Sequence, residues 1–147
     1  MLKFYYRFIP VEHKMNVLKE KSKFNTDAAD LLIKNYLYAP SIHCSYYSCL
    51  QFMKHIILNK LGINPVNYAS DNGFGSDRSH ETFRDIIIKD LKNRQKREWR
   101  EFNTQFGQLK SSRIQSDYDE IEINEPVART SKNLSDSTLR LLKQIYL

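Results

Sequence analysis

Trp99, Phe102, Phe106 and Leu109 recur at alternating steps of three and four residues, and this stripe constrains the fold more than any other feature of the chain. Such a period belongs to a helix with one apolar face, and that face must be covered by other elements. The next position of the stripe is Arg113, a permanent cation set where burial is expected. Burying a charge without compensation is costly. Arg113 therefore has to face Asp117 one turn on, a second subunit, or an anion such as phosphate, which a guanidinium fork meets in two-point contact. The pair with Asp117 satisfies the charge by itself, although Arg before Asp is the less favourable orientation on a helix. A dimer seam carrying Arg113 from both chains would instead form a compact phosphate-binding cleft.

Helical periodicity extends over most of the sequence, and strand alternation is nearly absent. Met15, Leu18, Ala28, Leu31 and Leu32 predict a first helix over about 11–35, broken at Tyr38-Ala39-Pro40 because proline disfavours helical geometry in the residue before it. Ser41 is the expected cap of a second, central helix whose face is Ile42, Tyr46, Cys49, Met53, Ile56 and Ile57, ended by Gly62. Residues 64–77, with Pro65, Gly73 and Gly75, have the composition of a loop. Ser79 is the expected cap of a third helix bearing Phe83, Ile86, Ile87 and Leu91, and a fourth runs over about 98–116. Asn124, followed by Glu125 and Pro126, caps a fifth helix with Val127, Leu134, Leu141 and Ile145. The expectation is an all-α antiparallel bundle of about five helices, with Tyr46 and Met53 buried. It forms one domain over residues 12–147 behind an aromatic N-terminal extension, residues 1–11.

With 23 Lys and Arg against 17 Asp and Glu, the chain carries a formal charge of +6, which suits a polyanionic partner. Lys92, Arg94, Lys96, Arg97 and Arg100 crowd the connection between the third and fourth helices and are the candidate nucleic-acid contacts. Cys44 and Cys49 lie five apart in a helix, a spacing that fits neither a disulfide nor a shared metal, so free thiols in a reducing compartment are expected. No stretch approaches the roughly twenty apolar residues of a membrane span, and the opening is too short and too charged for a signal peptide. A cytoplasmic protein is the expectation. A glycine-rich phosphate loop, metal-ligand spacing of His and Cys and a nucleophile elbow are all missing, so no metal or cofactor is expected. His43 and Tyr47 share a face of the second helix and read as hydrogen-bonded core. His80 reads as the first turn of the third helix, and His13 and His55 form no constellation.

Four short runs follow one another in a familiar order. They are Ala28-Ala29-Asp30-Leu31-Leu32 with Asn35-Tyr36, Ser45-Tyr46-Tyr47-Ser48 with Phe52, Ser79-His80, and Arg113 with Ser116-Asp117-Tyr118. Together they resemble the HEPN domain over residues 12–147, and the likeness is closest to its small stand-alone prokaryotic branch. There a YY pair, an SH or TH step and an R-x-x-A-D-Y motif recur. The resemblance implies a helical bundle that dimerises and, in many members, acts as a metal-independent ribonuclease, several of them toxins paired with a nucleotidyltransferase-like antitoxin. It also implies a catalytic set of Arg113, Asp117 and Tyr118. The family nucleases place a His four to six residues after the Arg, and here Tyr118 stands in its place. A phenol titrating near 10 is a poor general base at neutral pH, so the resemblance supports a phosphate-facing Arg113 better than it supports catalysis. Three roles remain open at this level. The chain is an RNA- or nucleotide-binding HEPN protein with ribonuclease activity, a catalytically silent dimerisation module, or the antitoxin or regulatory partner of such a pair.

Overall fold

The apolar periodicities are realised as helices in a computed structural model that describes residues 11–75 and 78–147, with side chains from residue 16 onward. Residues 1–10 of the N-terminal extension, and the side chains of His13 and Met15, lie outside the described residues, whereas Val11 belongs to the first helix. The elements are α1 (Val11–Lys34), α2 (Tyr38–His55), α3 (Pro65–Asp71), α4 (Ser79–Asn93), α5 (Trp99–Tyr118) and α6 (Glu125–Tyr146). A π-helical turn, Ile56–Lys60, continues α2. Among the described residues there is no strand, and none of the helices is long and apolar enough to cross a membrane.

Among the described residues there are six α-helices rather than five, because the expected loop of residues 64–77 contains α3. The Asn64 side chain accepts from the amides of Val66 and Asn67 at 2.9 and 3.3 Å, and Pro65 opens the helix where its missing N–H costs nothing. The same tolerance moves the start of α2. Pro40 sits inside the first turn, so the break falls earlier, at Tyr36 and Leu37, and Ser41 is not the cap. Its hydroxyl instead donates to the Tyr38 carbonyl at 2.6 Å. Ser79 is likewise the first residue of α4, and no side chain caps that helix at Arg78. Asn124 does cap α6, accepting from the Val127 amide at 3.1 Å. At the end of the π-helical turn Gly62 takes φ +65°, while the Ile63 amide reaches back to the Ile57 carbonyl at 3.0 Å.

α2 is the central helix and packs against α1, α4, α5 and α6. Its expected face, Ile42, Tyr46, Cys49, Met53, Ile56 and Ile57, is fully buried, as are Phe102, Phe106 and Leu109 of α5 and Ile87 and Leu91 of α4. The α5 face lies against α2 in antiparallel register, with Ser116 bonding the Ala39 carbonyl and Arg113 bonding Tyr47. α6 departs from the antiparallel order and runs alongside α2. Tyr38 meets Glu125, Ser48 meets Ser135, and Lys143 lies over the Phe52 ring.

Two apolar faces differ from expectation, and both have the same cause. On α1 the buried positions are Ser22, Ala29 and Ile33, whereas Leu31 is 62% exposed. On α6 the buried row includes Ala128, Ser131, Ser135, Thr138 and Leu142, while Val127 is exposed and Leu134 half-buried. Small side chains let these helices approach α2 closely, and their hydroxyls find backbone partners. Ser22 donates to the Ser48 carbonyl at 2.7 Å and Ser135 to the Ser45 carbonyl at 2.8 Å.

Candidate functional site

Three helices converge on Arg113, whose side chain is 13% exposed. Its Nε lies 3.0 Å from Asp117 Oδ2, an ion pair outside hydrogen-bonding geometry, and its Nη2 donates to Tyr47 Oη at 3.3 Å. The guanidinium carbon sits 5.4 Å from the Tyr46 ring centre and 5.7 Å from those of Tyr47 and Tyr118. Aromatic faces hold a cation in this way at little cost in hydration. Burial works against the charge, but Tyr47 and Asp117 outweigh it and the arginine's pKa is raised. Of the three partners that the sequence offered for Arg113, the carboxylate of Asp117 is present.

Asp117 Oδ2 serves a second group, because His43 Nδ1 on α2 lies 3.1 Å from it. An ionised carboxylate only accepts, so the imidazole donates Nδ1–H to it and leaves Nε2 outside this contact. The His43 ring stacks on Tyr47, with centroids 4.5 Å apart. The ring of His80 from α4 lies 5.9 Å from that of Tyr47, with the two planes nearly perpendicular. Its Nδ1 lies 3.0 Å from the hydroxyl of the fully buried Tyr46. Burial lowers the pKa of His80, and the charges of Arg113 and then Lys110 lower it further. His80 is therefore neutral at pH 7. Burial pushes the Tyr46 phenol up, which keeps its hydroxyl protonated.

An open groove of about 570 Å³ runs along this face, lined by Phe74, Arg78, Ser79, His80, Glu81, Lys110 and Arg113. Lys110 forms an ion pair with Glu81, and its hydrogen bond is the main cause that holds the Glu81 carboxyl below its usual range. Three cations thus face one carboxylate in the groove. A second open depression, of about 430 Å³, is lined by His43, Cys44, Ser116 and Asp117 among others.

Of the residues singled out from sequence, Arg113, Asp117 and Tyr118 come together, with Tyr118 71% exposed. The basic connection does not join them. Arg100 and Arg113 are thirteen residues apart on one helix, which at about 1.5 Å per residue separates them by roughly 20 Å. Most of that cluster is engaged locally. Lys92 lies 4.2 Å above the Trp99 ring and Arg100 5.4 Å from it, while Arg94 pairs with Asp90 at 2.7 Å. Lys96 and Arg97 are exposed.

His43, His80, Tyr47 and Lys110 are the residues that sequence reasoning set aside or missed. The signals in the sequence were the spacing that puts His43 and Tyr47 one helical turn apart and the Tyr46-Tyr47 and Ser79-His80 runs of the resemblance. The thiols of Cys44 and Cys49 are free, and burial pushes that of Cys49 up to about 12. Among the described residues no three His, Cys, Asp or Glu side chains are grouped so as to hold a metal ion. No protein-family model, curated protein or solved structure matches the chain.

Proposed function

We propose that this chain is a HEPN-like RNA-binding protein whose Arg113 groove takes a phosphodiester and cleaves it without a metal ion. The reading rests on one observation: two imidazoles, His43 and His80, both pack against the ring of Tyr47, whose hydroxyl accepts from the Arg113 guanidinium. They supply in space the group that Tyr118 fails to supply in sequence. In the proposed reaction neutral His80 removes the proton of the ribose 2′-hydroxyl. O2′ attacks phosphorus, the P–O5′ bond breaks, and His43, entering the reaction as an imidazolium held by Asp117, gives its Nε2 proton to the leaving O5′. Arg113 and Lys110 neutralise the non-bridging oxygens. The products are a 2′,3′-cyclic phosphate and a 5′-hydroxyl.

Cleavage of a labelled RNA in excess chelator tests this reading. His80→Ala and His43→Ala are each expected to lose about 10²–10⁴ in rate. Arg113→Ala abolishes turnover, Tyr118→Phe weakens it slightly, and Tyr118→His raises it. Intact RNA at every pH would sink the catalytic part of the reading. Affinity should fall with salt, and replacing Lys96, Arg97 and Arg100 by Gln should flatten that slope if RNA reaches the far end of α5.

A second reading has its own support, since Arg113 already has Asp117, Tyr47 and three rings around it. In that case the chain is a catalytically silent module that acts through what it binds. For both readings we propose a cytoplasmic homodimer, with a nucleotidyltransferase-like antitoxin as the partner of an active toxin. The exposed Ile114, Tyr118 and Ile121 beside Arg113 favour a second copy at this end of α5. Light scattering that finds a monomer at all working concentrations removes the dimer.

A further inference from the structure

We infer that a second cavity beside the Arg113 groove is a base pocket, so that the site takes one whole nucleotide with its base unstacked. The inference rests on the phosphate-binding reading of the groove and extends it to the rest of the ligand. The cavity, about 530 Å³, lies between α3 and α4 and is lined by Pro65, Val66, Ala69, Phe74, Thr82 and Phe83 among others. Its volume falls within the range of roughly 300–1,000 Å³ that is usual for small-molecule sites. Phe74 and Ser79 line both this cavity and the groove, so the two are adjacent.

The reason for the cavity lies in α3. None of its residues is buried, and polar bonds tie the segment to α4: Tyr68 donates to Asp85 and Lys89 donates to Asn72. α3 is therefore a wall rather than core, with Val66 left 77% exposed at the edge of the cavity. The hydroxyl of Thr82 is already committed to the Arg78 carbonyl at 3.0 Å. One compartment is therefore largely apolar, with Lys54 among its lining residues, and shares the Phe74 ring with the next, which carries Arg78, Lys110 and Arg113 beside Glu81. A nucleotide has the matching polarity, a flat π face joined to a phosphate. Single-stranded RNA is recognised by stacking splayed bases on such rings.

Calorimetric titration with inorganic phosphate, ribose 5-phosphate, nucleoside monophosphates and a trinucleotide tests the pocket. Nucleoside monophosphates should bind about tenfold more tightly than ribose 5-phosphate, the gain expected of one stacked base. Phe74→Ala should remove that gain. Val66→Asp should remove it as well and leave ribose 5-phosphate binding unchanged, and because Val66 is exposed this variant keeps its fold. Equal affinity for ribose 5-phosphate and nucleoside monophosphates overturns the pocket while leaving the phosphate site standing. Binding of none of the four ligands overturns both. A trinucleotide that binds more tightly than a mononucleotide identifies the ligand as a strand, and equal binding identifies a free nucleotide; each supports the pocket.

Discussion

The hydroxyl of Tyr46 lies 3.0 Å from Nδ1 of His80, joining the most buried tyrosine of α2 to the first turn of α4. Removing the hydroxyl leaves a half-buried imidazole nitrogen without its partner. Tyr46→Phe is therefore expected to lower unfolding free energy by about 1–2 kcal/mol. Denaturant unfolding measures this directly, and a variant as stable as the parent would show that the contact contributes nothing.

His80 also couples this corner of the fold to pH. Burial, Arg113 and Lys110 together place its folded pKa below the ordinary 6.5, so the unfolded chain binds the proton more readily than the folded one. The stability it contributes is complete above about pH 6.5 and is lost as pH falls through the folded value. Arg113→Met removes one of the opposing charges. The imidazole resonances of His80 in an NMR titration should then move to a higher midpoint, and an unmoved midpoint would mean that Arg113 does not act on His80.

Lys132 is buried on α6, with both oxygens of Asp136 at 2.7 Å and Asp30 at 3.4 Å. A buried cation stripped of its partner is expensive, whereas replacing the whole charge with an apolar chain is often neutral. Asp136→Ala should cost about 2–3 kcal/mol and Lys132→Met less than about 1 kcal/mol. Chemical unfolding of the two variants checks the asymmetry, and equal losses would refute it.

Gln95 ends α4 in the left-handed region at φ +56°, with the Lys96 amide bonded to the Leu91 carbonyl at 2.9 Å. A side chain is strained in that conformation and glycine is not. Gln95→Gly should raise stability by about 1 kcal/mol, read as a higher melting temperature. An unchanged or lower value would show that the side chain makes a compensating contact.

The helical class was legible because large apolar residues at steps of three and four on α2, α4 and α5 leave no other way to bury them. Arg113 stood out for the same reason, and its pair with Asp117 follows from helical spacing alone. Where the packing is done by small polar residues, hydrophobicity pointed to the wrong face. Leu31 and Val127 face outward because Ala29, Ser22 and Ser135 let backbones approach α2. α3 was written in Asn64-Pro65, a cap and a first helical residue hidden in a segment with a loop's composition.

Local periodicity was enough to make this chain helical and to set one cation at the edge of its core. What surrounds that cation is a matter of tertiary packing. His43 is 74 residues from Asp117, and Tyr46 is 34 from His80, so no local rule brings either imidazole to Arg113. Their meeting depends on the register in which α2 lies between α4 and α5, and contacts between distant segments set that register. The same register carries Lys92 and Arg100 to the other end of α5, because a helix of fixed rise separates what composition alone groups together.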